Sequence, residues 1–231
     1  MYAIIPASSQ KRQAKQPDAF FMTNLILSSI LSASLLLARP GILNAPIAGM
    51  AGQLIEESHI LASESLDLSR RAPVESVNEG FKENILIALE HLKRINNGTL
   101  ILQPGEVFAF HKNILPQFKG EKIIAQESGF GVKDGYKVVA GLPGNGVCHL
   151  ASLMNKVARK AGLEVVSEVN HNFAGIPGIE REYGTSIYFM PGGGRNSANQ
   201  NLYINNNKQF PVEFVFDLSD NQLQFAIKSL L

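Results

Sequence analysis

The glycine-rich stretch Gly141-Leu-Pro-Gly-Asn-Gly-Val-Cys-His-Leu-Ala-Ser152 runs directly into a helical pattern and carries Cys148, the single cysteine of the 231-residue chain. The glycines give the loop a flexible backbone, and the start of a helix offers unpaired N–H groups with a partial positive charge. This setting favours a thiolate and can hold an oxyanion. We therefore predict a nucleophilic thiol at a helix N-terminus, although free cysteines are more often buried as small apolar side chains.

Composition limits the classes of protein to which the chain can belong. With one cysteine, an intramolecular disulfide and a zinc site built from cysteine and histidine pairs are both excluded. Hydrophobic residues make up 45% and charged residues 18%, which is typical of a globular chain. The net charge of +1 gives no basic excess for nucleic acid. We expect a globular protein without nucleic acid as a partner, without a metal and without an organic cofactor.

The N-terminal region resembles a membrane-targeting segment. Residues 19–38 carry no charge and follow Lys11, Arg12 and Lys15. The run approaches the roughly 20 residues that span a bilayer, and small residues follow it, as they do at a signal cleavage site. Residues 1–38 are therefore predicted to be a signal peptide or a retained membrane anchor. The positive flank predicts that the remainder is extracytoplasmic, either membrane-anchored or secreted.

The rest of the chain divides into a predicted linker, 39–75, which is rich in Pro and Ser, and a single predicted domain, 76–231. Apolar spacing predicts one helix from Ser76 to Asn96 and a second over 149–161. Short strands are expected at 99–102, 106–110, 122–125, 136–140, 163–169, 185–189, 202–205, 211–216 and 223–228. Strands outnumber helices and do not alternate with them, so we predict an α+β fold with a largely antiparallel sheet.

Spacing also brings one histidine toward the thiol. The helix over 149–161 rises about 20 Å and a strand over 163–170 returns about 26 Å, so a tight reversal at Gly162 places His171 near the helix start. A neighbouring imidazole is the usual base for a catalytic thiol. A surface position at a strand end fits His171 equally well. His149 is a second candidate, but an adjacent helical residue points about 100° away from Cys148.

From about Asn84 to Lys228 the chain resembles the VanW-like family. The motifs that carry this resemblance are Asn97-Gly-Thr99, Pro104-Gly-Glu-Val-Phe-Ala-Phe110, Gly146-Val-Cys-His-Leu-Ala-Ser152, Ala161-Gly-Leu-Glu-Val-Val166, His171 and Asn201-Leu-Tyr-Ile-Asn-Asn206. The family usually reads Gly-Gly-Gly-Val-Cys-Gln where this chain has Gly144-Asn-Gly-Val-Cys-His149. The cysteine is kept, and His149 stands where the family glutamine would be.

The resemblance implies a cell-envelope role. Some proteins with this domain look like cysteine-dependent L,D-transpeptidases that act on peptidoglycan stem peptides. In that interpretation Cys148 attacks a stem-peptide carbonyl and His171 serves as acid and base. His149 either replaces the glutamine as a donor or alters the chemistry. The loop residues Gly144, Asn145, Gly146 and Val147 then surround the oxyanion.

A third catalytic member is expected from the family's Gly-x-Asp-Ala-Thr segment, to which the sequence over 177–187 corresponds only in part. Its candidates are Glu180, Tyr183 and Thr185. Two other functions remain open beside transpeptidation. One is a non-catalytic peptidoglycan-associated accessory or binding module linked to glycopeptide resistance, and the other is a cysteine hydrolase of cell-wall peptides. Fold and family do not decide between them.

Overall fold

Residues 58–231 are described by the structure, which is a computed structural model. Helix α1 spans Glu75–Lys93, α2 spans Val147–Lys160 and the short α3 spans Arg195–Asn199. On α1 the face that carries Ile85, Ala88, Leu89 and Leu92 is buried, as the apolar spacing predicts. After α1 the backbone turns left-handed, with φ of 58° at Asn97, which ends the helical region where the sequence predicts.

The strands of this region are β1 Ser58–Asp67, β2 Leu100–Leu102, β3 Val107–Ala109, β4 Ile123–Ala125, β5 Val138–Val139, β6 Leu142–Pro143, β7 Glu164–Val166, β8 Tyr203–Asn205, β9 Val212–Ser219 and β10 Gln222–Leu230. They form two four-stranded sheets, in the orders β1-β10-β9-β2 and β4-β3-β8-β7, and a β5–β6 hairpin. Within 58–231 the parallel pair is β3 with β4, and the other pairs are antiparallel. The predicted α+β class with largely antiparallel sheets is confirmed.

Strand β1 lies inside the segment that the sequence predicts as a linker. It pairs with β10 from Ser58, opposite Leu230, to Asp67, opposite Gln222, with a bulge between Ile60 and Ala62. Most of its side chains are exposed or half-buried, because β1 is at the edge of its sheet. Such a strand has no strong apolar alternation, so the folded region begins earlier in the chain than the pattern indicates.

Helix α2 is the centre of the core. It packs against α1, against β1 and β10 of one sheet, and against β7 of the other. Its side chains are buried on nearly every side, including Leu150, Leu153, Met154 and Val157 at 0% exposure. A helix that is buried all round is fixed by its packing, so the position of its first turn is also fixed.

The predicted signal or anchor, 1–38, lies outside the described residues. Within 58–231, none of the helices combines the length and the apolar character that a bilayer crossing requires.

The side chain of Asn84 fixes the β5–β6 hairpin on α1. Asn84 is fully buried, and its amide nitrogen donates to the carbonyl oxygens of Lys137, at 3.1 Å, and Asn145, at 2.8 Å. Its amide oxygen accepts from the N–H of Lys137 at 2.8 Å. Asn145 in turn donates from Nδ2 to the carbonyl of Val139 at 2.8 Å. One buried amide thus positions both ends of the hairpin that leads into α2.

Replacing Asn84 with alanine leaves one N–H and two carbonyl groups without their partner. Each unpaired buried group costs about 1–3 kcal/mol, so we expect Asn84→Ala to lower the free energy of unfolding by roughly 3 kcal/mol. Urea titration followed by circular dichroism measures this loss. Asn207→Ala, at an exposed position, is the matched control and is expected to unfold like wild type. Equal urea midpoints for the two variants would show that the Asn84 amide does not stabilise the hairpin on α1.

Candidate functional site

The entrance to α2 requires glycine. Gly146 caps the helix with φ of 106°, a left-handed conformation that other residues rarely adopt. A Cβ at Gly146 would lie 2.7 Å from the carbonyl oxygen of Phe81 and 2.8 Å from its Cα, so the loop touches the α1 backbone directly. Gly144, with φ of 71°, makes a similarly close approach to Phe130. Val147 is 2% exposed and packs in the core, so its role is in positioning.

The N–H groups expected to form an oxyanion hole are partly occupied. The N–H of Val147 donates to the carbonyl of Gly144 at 3.1 Å, and the N–H of His149 donates to the carbonyl of Gly146 at 2.9 Å. The N–H of Cys148 contacts its own sulfur. An oxyanion site that used the N–H groups of Val147 or His149 would therefore require these turns to open.

Cys148 is half-buried in the first turn of α2, and its sulfur contacts the main chain of Ile187. The N–H of Ile187 donates to Sγ at 3.3 Å, and the thiol donates to the carbonyl of Ile187 at 3.6 Å. Burial raises the pKa of the Cys148 thiol, and this effect exceeds the lowering by the Ile187 N–H. Burial therefore favours the protonated thiol, in opposition to the thiolate that the helix start is expected to favour.

Two polar side chains of α2 bind Thr185, two residues before Ile187, and so hold this segment beside the sulfur. The hydroxyl of Ser152 donates to the carbonyl of Cys148 at 2.7 Å and accepts from the N–H of Thr185 at 2.8 Å. Asn155 donates from Nδ2 to the hydroxyl of Thr185 at 3.0 Å.

The same contacts explain why the strand predicted over 185–189 does not form. The N–H groups of this segment bond to side chains, to loop carbonyls and to the thiol, rather than to a neighbouring strand.

The three candidates for a third catalytic member serve other contacts. Glu180 pairs with Lys156 at 2.9 Å, and Lys156 lies eight residues (156 − 148) after Cys148, about 12 Å along the helix axis. Thr185 is fully buried and bonds to Ser152 and Asn155, and the carbonyl of Tyr183 accepts a hydrogen bond from Asn155. Within 58–231 no hydrogen bond joins any of the three to the thiol or to His171.

His171 lies beside the first turn of α2, where the spacing places it. Its ring is 6.1 Å from that of His149, centroid to centroid, and nearly perpendicular to it. Nδ1 lies 3.0 Å from the carbonyl of Ala174. A carbonyl can only accept, so Nδ1 carries the hydrogen and Nε2 of the neutral ring is the basic nitrogen. The side chain of Phe173 is 79% exposed, and the centroid of its ring lies 4.0 Å from that of His171.

His149 is 4% exposed and presents its ring to the edge of Phe81 at 5.3 Å. Its Nδ1 is buried without a hydrogen-bond partner. Burial, followed by the charges of Arg71 and His171, lowers the pKa of His149 to about 3. The imidazole is therefore neutral at physiological pH. Within 58–231 neither imidazole forms a hydrogen bond with the sulfur.

Arg71 belongs to this site, and the sequence does not reveal it because it lies in the predicted linker. It is 3% exposed, and burial lowers the pKa of its guanidinium to about 10. Nε donates to the carbonyl of Asp67 at 2.6 Å, and Nη1 donates to that of Pro177 at 3.0 Å. The side chain thus joins the end of β1 to the loop that carries His171. The sequence signal is slight: a pair of arginines just before a helix.

The described residues contain no group of three or more His, Cys, Asp or Glu side chains suited to a metal ion. The site consists of one thiol, two imidazoles and a buried guanidinium.

A lone thiol in the first turn of a buried helix, with two histidines near that turn, marks a candidate site on an α+β fold. A family model described as "VanW like protein" matches residues 80–228. This match covers more than half of the chain, so the chain belongs to the VanW-like family, and the resemblance read from the motifs is confirmed. The matched residues begin after Arg71 and β1. No curated protein and no solved structure matches the chain.

The raised pKa of Cys148 can be measured directly, because the chain has no other thiol. The rate of alkylation by iodoacetamide follows the thiolate fraction. Since burial raises the pKa in the folded protein, the rate should reach half of its plateau at a higher pH in the folded chain than in the urea-unfolded chain. Mass spectrometry of samples quenched at successive times gives both curves. A lower midpoint in the folded chain would show that the helix start dominates instead.

Proposed function

We propose that this protein is a cysteine-dependent L,D-transpeptidase that acts on peptidoglycan stem peptides. The observation that carries the proposal is the approach of His171 to the start of α2, with Nε2 as its basic nitrogen. In this proposal Cys148 is the nucleophile and His171, 23 positions later in the chain (171 − 148), is the base. Membership of the VanW-like family supports the same chemistry.

The resting contact between Sγ and Ile187 has to break before the thiol can react. An extended peptide offers the same N–H and carbonyl groups as the Ile187 main chain, so a bound stem peptide can replace this contact. The sulfur then turns toward Nε2 of His171. The exposed ring of Phe173 beside that imidazole gives the peptide an apolar surface to pack against.

The reaction proceeds in two acyl transfers. Sγ attacks the carbonyl carbon of the donor peptide while its proton passes to Nε2 of His171, and the C–N bond to the terminal D-amino acid breaks as the imidazolium protonates the leaving amine. The amine of a neighbouring stem then attacks the thioester and gives its proton to Nε2. The C–S bond breaks, the thiol is regenerated and a new amide joins the two stems.

This function belongs to an exported protein. Its partners are peptidoglycan stem peptides, with the membrane contacted through residues 1–38 as a signal or anchor. The uncharged run that follows Lys11, Arg12 and Lys15 supports this location.

The second candidate is a non-catalytic peptidoglycan-binding or accessory module. The thiol contact with Ile187 favours it, since a sulfur that bonds to the main chain and has a raised pKa behaves as a buried structural group. A cysteine hydrolase shares the nucleophile and differs in using water as the acceptor.

Intact-mass spectrometry separates the enzymes from the binding module. The full-length chain is incubated with purified stem tetrapeptides, and the expected adduct equals the peptide minus its terminal amino acid. It should form on wild type and be absent from Cys148→Ala. Linked dimers among the products indicate transpeptidation, and trimmed monomers alone indicate hydrolysis. If no adduct forms on wild type across pH 6–9, both enzyme proposals fail and the binding module remains.

Loss of the base should slow acylation. Proton transfer by a positioned side chain contributes about 10²–10⁴-fold, so His171→Gln is expected to reduce the acylation rate by roughly that factor. His91→Gln is the matched control, because His91 stacks on Tyr136 and contacts the carbonyl of Asp134, apart from the thiol. Equal acylation rates for His171→Gln and wild type would remove His171 from the mechanism.

A further inference from the structure

Strand β4 is at the edge of its sheet and has main-chain groups without partners. Among the strands of 58–231 its single neighbour is β3. The N–H of Val107 in β3 donates to the carbonyl of Lys122 at 3.0 Å, so the main-chain groups of Lys122 and Ile124 point toward β3. The N–H and carbonyl groups of Ile123 and Ala125 alternate with these and point away. No hydrogen bond within the described residues uses them.

The opposite edge of the same sheet is covered, whereas the edge at β4 is not. At β7 the guanidinium of Arg159 donates from Nη2 to the carbonyl of Val165 at 3.3 Å. Folded proteins commonly protect an edge strand with a lysine or another charged side chain. Lys122 directly precedes β4, but its ammonium group pairs with Glu106, just before β3. The outer side of β4 is therefore available to another strand.

A groove of about 710 Å³ lies between residues 122–128 and the end of α1. This volume is within the range of ligand sites in proteins. A second depression of about 300 Å³ shares Asn96, Lys122 and Ile124 with the groove and continues to Ile101 of β2. No residue of α2 lines either of them, so the groove is separate from the thiol.

The groove also presents a positive charge that is not paired. Arg94 lines it and forms no salt bridge within 58–231. The two carboxylates that line the same groove have other contacts. Asp134 accepts from two loop N–H groups at 2.9 and 3.2 Å, and Glu127 pairs with Lys112 at 3.0 Å. A carboxylate is the usual partner of a guanidinium, so the groove is suited to a ligand with a negative charge.

We infer that this groove binds an extended peptide of a partner protein, which adds a strand beside β4 and places an acidic side chain against Arg94. Pairing with the main chain of Ile123 and Ala125 supplies the affinity. Arg94 and the apolar surface of Ile124 select the sequence of the peptide. The inference goes beyond the proposed function and does not depend on the activity of Cys148.

A second copy of this chain fits the same edge less well. If two β4 strands paired antiparallel about Ile124, Glu121 of one copy would lie opposite Glu127 of the other. Like charges directly opposite each other destabilise a sheet. Charge complementarity therefore favours a different, acidic peptide over self-association.

Selection from a random library tests the groove without a known partner. Heptapeptides displayed on phage are selected against the full-length chain and, in parallel, against Ala125→Pro. Proline removes an N–H that the folded domain does not use, and an edge strand tolerates proline at such a position. Peptides that are enriched on wild type alone should carry Asp or Glu beside β-branched residues. The most enriched peptide, labelled for fluorescence anisotropy, should bind Ala125→Pro about 10-fold or more weakly.

Two further comparisons do not rely on the proline variant. Arg94→Gln should weaken binding of the acidic peptide by up to about 5-fold, as expected for an exposed ion pair. Lys93→Gln makes the same charge change at an exposed neighbour that does not line the groove, and it should bind like wild type. N-methylation of alternate peptide residues should abolish binding in the set whose N–H groups face β4 and preserve it in the other set.

The inference is overturned if no peptide is enriched on wild type over Ala125→Pro, or if the two N-methylated sets bind equally. It is also overturned if Arg94→Gln and Lys93→Gln bind the peptide equally. If wild type sediments as a dimer that Ala125→Pro dissociates, a second copy occupies the edge instead. Each of these results leaves the proposed transpeptidase intact, because the acyl adduct on Cys148 is measured separately.

Discussion

The buried amide of Asn84 is the interaction on which the site depends most. It fixes the main chain of Lys137 and Asn145 on α1 and so determines how the chain enters α2. Gly146 then presses against the backbone of Phe81, at a distance that leaves no room for a side chain. Because α2 is packed on all sides, this entry cannot shift along the helix. The thiol therefore occupies a place that α1 and the core define together.

Within this frame, two electrostatic effects oppose each other at Cys148. Burial raises the pKa of the Cys148 thiol, whereas the N–H of Ile187 lowers it, and the effect of burial is the larger of the two. Burial also determines the charge of the neighbouring imidazole. His149 is kept neutral by burial and by the positive charge of Arg71. Burial therefore leaves a protonated thiol beside a neutral imidazole at the start of α2.

Local pattern was sufficient for the parts of the fold that local interactions determine. The apolar face of α1, the helix that follows Cys148 and most of the short strands were predicted from periodicity, and the return of the chain to His171 followed from rise per residue. Strand β1 was missed because an exposed edge strand has little apolar alternation. The segment 185–189 was misassigned because its N–H groups bond to side chains, and Arg71 was missed because burial of a charge is a tertiary property.

The pairing of β1 with β10 gives the domain a direction of mechanical weakness. Ser58 lies opposite Leu230. Tension applied to the chain before residue 58, while Leu230 is held, would therefore peel β1 away from β10 one pair of residues at a time. Such peeling loads few hydrogen bonds at once and requires little force. Leu66 and Asp67 would separate last, and Asp67 supplies the carbonyl that Arg71 grips. Under load the site would therefore keep its geometry until the strand is almost completely detached.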